Sequence, residues 1–83
     1  MSSQDFSEQK RIGATCRAFR EKCGLKLGEA ANALRPPISY AYLSNIEAGR
    51  KALTPVMRAR HAELYQVPQA AIARPELVEK VAS

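Results

Sequence analysis

An all-α domain of four to five short helices is the fold class this sequence predicts, and three observations carry it. Apolar residues recur at spacings of three and four, the repeat of a helix with one buried face. Gly and Pro cut these runs where helices stop. No stretch alternates apolar and polar with period two, so no sheet is expected. A chain of 83 residues has room for one domain and one small core. That domain is read as residues 1–83, with the core over about 7–68 and a C-terminal tail over 69–83.

The elements follow in order. Residues 1–6 read as a lead-in, with Asp5 or Ser7 as the cap of the first helix. Ile12, Cys16, Phe19 and Cys23 then recur at four, three and four residues, and Gly24 ends the helix where a left-handed residue is wanted. A second helix is predicted from about Lys26 to Leu34, with Leu27, Ala30, Ala31 and Leu34 inward. It stops at Arg35-Pro36-Pro37, because proline lacks an amide donor and restricts the residue before it. A third helix is predicted over Ser39–Ala48, capped by Ser39, anchored by Leu43 and Ile46, and ended by Gly49. Thr54-Pro55 opens a fourth helix that runs to about Tyr65, where Val67-Pro68 breaks the chain. Short helical turns are expected at Gln69–Ala73 and Pro75–Ala82.

Composition bounds the function. Apolar residues make up 46% of the chain, too many for a disordered one. The formal net charge is +5, and its placement matters more than its total. From Lys10 to Arg60 there are eleven basic residues against three acidic ones; the two ends carry two against five. A basic body suits a polyanionic partner. No segment has membrane-spanning length or a signal core, so a cytoplasmic protein with no membrane partner is expected. Cys16 and Cys23 lie seven residues apart on one predicted helix, about 10 Å between Cα atoms. That exceeds the reach of a disulfide, about 7 Å, and agrees with a reducing compartment. Two Cys and one His give no metal-ligand spacing, and no cofactor or small-molecule ligand is expected. No nucleophile–base pair and no carboxylate cluster stands out, so no enzyme is expected.

Two stretches carry a family resemblance. The first is Ile12-Gly13, Cys16-Arg17, Phe19-Arg20-Glu21 and Gly24-Leu25. The second is the run from Ile38 through Ser39-Tyr40-Ala41-Tyr42-Leu43-Ser44-Asn45-Ile46-Glu47-Ala48 to Gly49-Arg50. Together they resemble the Cro/phage-repressor (xenobiotic-response-element-like) type of helix-turn-helix protein, and the likeness extends over about residues 10–68. The resemblance implies a compact lambda-repressor-like domain in which Ser39–Ala48 is the recognition helix. A major groove about 12 Å wide admits one helix, and this motif reads bases with the N-terminal part of its second helix. Matched by position, the base readers are Tyr40, Ala41 and Asn45, with Ser44 beside them. An Asn45 amide suits a bidentate pair with adenine, and Ala41 suits a thymine methyl. Phosphate contacts are expected from Lys26, Ser39, Tyr42, Arg50 and Lys51, with Arg35 at the turn. Arg20 and Glu47 match a partly buried structural ion pair. His61 falls at an apolar position and is expected to be a core residue.

The sequence departs from the pattern in two places. Leu27 and Gly28 stand where the family usually has Gln and Glu. The Arg35-Pro36-Pro37 turn is about two residues longer. The expected function is a transcriptional regulator, a repressor binding a palindromic operator in double-stranded DNA as a homodimer. Dimer-interface candidates are the tail-side residues Tyr65, Val67, Ile72, Leu77, Val78 and Val81. The alternatives are an antitoxin-type regulator that also binds a partner toxin protein, and a protein-interaction module on the same fold.

Overall fold

A computed structural model describes residues 2–73, with side chains described from Glu8 to Ile72. Five helices follow in order: α1 (Ser2–Lys22), α2 (Leu27–Ala33), α3 (Tyr40–Glu47), α4 (Pro55–Tyr65) and α5 (Gln69–Ala73). No strand occurs among the described residues.

α1 starts earlier than its predicted cap and takes in both Asp5 and Ser7. Nothing between Ser2 and Ile12 stops a helix: there is no Gly or Pro, and Gln, Glu, Lys and Arg propagate one well. Its end matches the prediction. Gly24 has φ +73°, the Leu25 N–H donates to the Arg20 carbonyl at 3.1 Å, and the Gly24 N–H donates to the Glu21 carbonyl at 2.9 Å. These two bonds are the Schellman closure.

α2 is short and weakly capped. Lys26 precedes it, and lysine has no acceptor to offer; instead the Glu29 carboxylate accepts from the Lys26 N–H at 2.7 Å. Leu34 leaves the helix with ψ 152°, and the Arg35–Pro36 bond is cis. The longer turn folds back on α2, because the Ile38 N–H donates to the Ala31 carbonyl at 3.0 Å.

α3 is capped as predicted, with the Ser39 hydroxyl accepting from the Tyr42 N–H at 3.0 Å. It closes as α1 does: Gly49 has φ +81°, and the Arg50 N–H reaches the Asn45 carbonyl at 2.9 Å. Gly49 is needed twice over. A Cβ there would lie 2.8 Å from Lys10 Cα, so α1 passes against this turn. α4 opens with Thr54 accepting from the Met57 N–H at 3.2 Å and Pro55 in the first turn. It closes with the same motif on a non-glycine residue: Gln66 has φ 58°, and the Val67 N–H donates to the Ala62 carbonyl at 3.0 Å.

The core has two parts. One gathers Cys16, Leu34, Ile46, Leu53, Met57 and Ile72, with Ala62, between α1, α3, α4 and α5. The other seats Leu43 of α3 on Ala30 and Ala31 of α2, whose small side chains let the helices approach. Several expectations need correction. Cys23 is exposed, since α1 has passed the end of the core by that turn. Tyr65 and Ile72, read as dimer-interface candidates, are buried, and Val67 packs half-buried against the same cluster. α5 is therefore part of the core rather than the start of a tail: Ala71 and Ile72 both face inward, and α5 packs on α1 and α4. Leu77, Val78 and Val81, and the helical turn expected at Pro75–Ala82, lie outside the described residues.

Candidate nucleic-acid interface

α3 is held from below and free above. Leu43 and Ile46 are fully buried, which turns the opposite side outward. Tyr40 is 63% exposed, the most open large apolar side chain of the helix. Ala41 is exposed beside it, and Ser44 and Asn45 are half-buried one turn further on. The four residues expected to read bases thus share the outward side of one helix, with Tyr40 and Ala41 at its N-terminal end.

The basic residues expected to touch phosphates are likewise accessible. Lys26, Arg35, Arg50 and Lys51 are all exposed. Lys26 precedes α2, and Arg50 and Lys51 follow α3, their amides both tied to the Asn45 carbonyl. Ser39 is exposed, but its oxygen is occupied in capping α3. Tyr42 is half-buried and its ring packs against the core. One contact was not foreseen. Arg50 Nη1 donates to Asn45 Oδ1 at 3.3 Å, so the amide of the expected adenine reader is oriented by the first cation after the helix. Nothing in the sequence marks this pair, because the Gly49 turn that brings Arg50 back has to be seen first.

Arg20 and Glu47 meet across the domain. Arg20 Nε donates to Glu47 Oε2 at 2.8 Å and Nη2 donates to Oε1 at 3.0 Å, a bidentate pair. Arg20 Nη1 donates to the Leu25 carbonyl at 2.8 Å. The two side chains are only 10% and 6% exposed. The Glu47 hydrogen bonds hold the Arg20 guanidinium in its charged form, above its ordinary pKa, against the cost of burial. One ion pair thus fixes the last turn of α3 to α1 and to the α1–α2 turn. Gly13 makes the approach possible. A Cβ on it would collide with the Ile46 carbonyl oxygen and lie 2.7 Å from that of Glu47, so α1 meets the end of α3 backbone to backbone.

Behind the interface the buried polar groups are quiet. The Cys16 thiol is pushed up to about 12, mainly by burial and then by the Glu47 charge, so it is an inert core residue. His61 is fully buried; its Nδ1–H donates to the Met57 carbonyl at 2.8 Å, and its ring meets Tyr65 edge-on at 5.7 Å. Burial lowers the His61 pKa, so the ring is neutral, and burial raises that of Tyr65. Among the described residues no group of His, Cys, Asp or Glu is arranged to hold a metal ion, and no helix is long and apolar enough to cross a membrane.

Leu27 and Gly28, the first of the two departures, sit beside Tyr40. Leu27 is half-buried against the second core cluster, so it trades a polar contact for packing. A Cβ on Gly28 would stand 3.8 Å from Tyr40 Cδ2, which places the Tyr40 ring beside the first turn of α2.

Comparison with known proteins agrees with this geometry. A family model described as a helix-turn-helix domain matches residues 11–74. Among solved structures, the clp gene regulator ClgR from Corynebacterium glutamicum superposes with a TM-score of 0.71 at 32% identity, covering 78% of this chain and 82% of that one. A second ClgR structure from the same organism gives a TM-score of 0.73 at 29% identity, with coverage of 90% and 81%. The DNA-binding domain of BldD gives a TM-score of 0.71 at 27% identity, with coverage of 80% and 93%. A search of curated protein sequences finds no match. The family model spans most of the chain and falls on the helices that hold and present α3, so the chain belongs to the helix-turn-helix domain family.

Proposed function

We propose that this chain is a sequence-specific DNA-binding transcriptional regulator, a repressor that binds a palindromic operator as a homodimer. α3 enters the major groove. Tyr40, Ala41, Ser44 and Asn45 read base edges, and Lys26, Arg35, Arg50 and Lys51 hold phosphates. Tyr42 and Ser39 add backbone contacts. The observation that carries this reading is the outward side of α3, set on buried Leu43 and Ile46 and locked by the Arg20–Glu47 pair. ClgR is described as a gene regulator and the BldD match is a DNA-binding domain, which supports the same role. Two-fold dimers of such domains place recognition helices about one helical turn of DNA apart.

The test is the salt dependence of binding to random duplex DNA. Several phosphate contacts give a steep negative slope of log K against log salt. A flat slope, or no binding at low salt, refutes the proposal.

A further inference from the structure

We infer that Arg17 is a DNA-backbone contact whose guanidinium binds a phosphate at the flank of α3. The inference rests on the DNA-binding reading above and adds a residue that neither the sequence pattern nor the comparisons assign.

A groove of about 370 Å³ runs beside the recognition helix. Arg17 and Arg20 come to it from α1, Tyr40, Ser44 and Glu47 from α3, and Leu27 from the start of α2. A helix seated in the major groove has the sugar-phosphate backbone along its flanks, where contacts set position rather than sequence. This groove opens on such a flank, since two expected base readers form part of its wall.

The charges in it are unequally committed. Glu47 is neutralised by Arg20. Arg20 in turn has three acceptors, two on Glu47 and one at the Leu25 carbonyl, and is nearly buried. Arg17 is different. Among the described residues its one hydrogen bond runs from Nε to Glu21 Oε2 at 3.1 Å, between side chains 64% and 56% exposed. A pair so exposed is readily exchanged for a stronger acceptor. Nη1 and Nη2 of Arg17 make no hydrogen bond among the described residues. Its direction is set by the register of α1. Gly13 lies against the Ile46 and Glu47 carbonyls, and Arg17 and Arg20 follow at four and seven residues, on the same side of the helix. The guanidinium fork matches two phosphate oxygens. At this place α2 offers only the hydrocarbon of Leu27, so the cation comes from α1.

The competing account makes Arg17 no more than the partner of Glu21 on the helix surface. Three variants separate the two, with the full chain, random duplex DNA as probe, and circular dichroism to show that each folds. Arg17→Gln reduces the steepness of log K against log salt by about 0.9, one phosphate. Between 50 and 200 mM salt the wild type then loses about 3.5-fold more affinity than the variant. Arg17→Lys keeps the wild-type slope. Glu21→Gln breaks the same intrahelical pair but leaves the cation, and also keeps the slope. A wild-type slope in Arg17→Gln, or an equal loss in Glu21→Gln, overturns the inference while the DNA-binding reading stands. A flat slope in the wild type instead sinks that reading.

Discussion

Replacing Glu47 by Ala removes both oxygens that hold the Arg20 guanidinium. Arg20 is left charged, with its side chain 10% exposed and only the Leu25 carbonyl at 2.8 Å still bonded. Breaking one side of a buried ion pair costs about 3–5 kcal/mol, because the stranded charge has lost its water as well as its partner. A domain of this size has about 5–15 kcal/mol in all, so Glu47→Ala should be marginally folded. Replacing both partners, Arg20→Met with Glu47→Leu, removes the stranded charge; its main cost is the orphaned Leu25 carbonyl, about 1–3 kcal/mol. The double variant should therefore be more stable than Glu47→Ala alone. The assay is urea unfolding followed by far-ultraviolet circular dichroism, with linear extrapolation and a check that m is unchanged. A cost below about 1 kcal/mol for Glu47→Ala would refute the reasoning, since it would put the pair among surface ion pairs. So would a double variant less stable than the single one.

Burial lowers the His61 pKa in the folded chain, so below the unfolded value of about 6.5 the unfolded state takes up a proton that the native state refuses. The contribution of His61 is thus complete above about 6.5 and is lost as pH falls below it; urea melts from pH 7.5 to 5 should show this, and His61→Leu should flatten it. Gln66 closes α4 at φ 58°, where a side chain costs about 1 kcal/mol relative to glycine. Gln66→Gly should raise the melting temperature by roughly 4–8 °C; no change or a fall would contradict the strain. Gly13→Ala drives a Cβ into the Ile46 carbonyl, so it should destabilise by about 1–3 kcal/mol even though alanine is the better helix former. A stabilised variant would show that α1 does not pass so close.

Much of the fold is legible in the residues, for local reasons. Gly24 and Gly49 mark left-handed helix ends because glycine alone takes that conformation without cost, and the structure uses both. Gln66 does the same work and carries no such mark. α1 starts before its expected cap because Asp5 and Ser7 are good caps yet are also tolerated inside a helix with no breaker before them. Tyr65 and Ile72 looked spare only because α5 was not counted in the core; once α5 folds back on α1, both are enclosed. The candidate interface divides the same way. The outward and inward sides of α3 follow from its period. The meeting of Arg20 and Glu47, 27 residues apart, came from the family resemblance, since no local signal joins them. The Asn45–Arg50 bond depends on the path of the Gly49 turn, which a one-dimensional reading does not supply. That bond also changes an expectation. In the proposed complex Arg50 would orient the Asn45 amide as well as hold a phosphate, so its loss should disturb base selectivity as well as overall affinity.

In the proposed complex the outward side of α3 reads base edges, with Asn45 as its most specific member. The measurement that tests it most directly is selection of bound duplexes from a random pool, run in parallel with the wild type and Asn45→Ala. The wild type should enrich a palindrome with half-sites about 10 base pairs apart. Asn45→Ala should enrich the same palindrome with one position per half-site relaxed. A wild-type pool with no enrichment, or an Asn45→Ala consensus as sharp at every position as the wild type's, would contradict it.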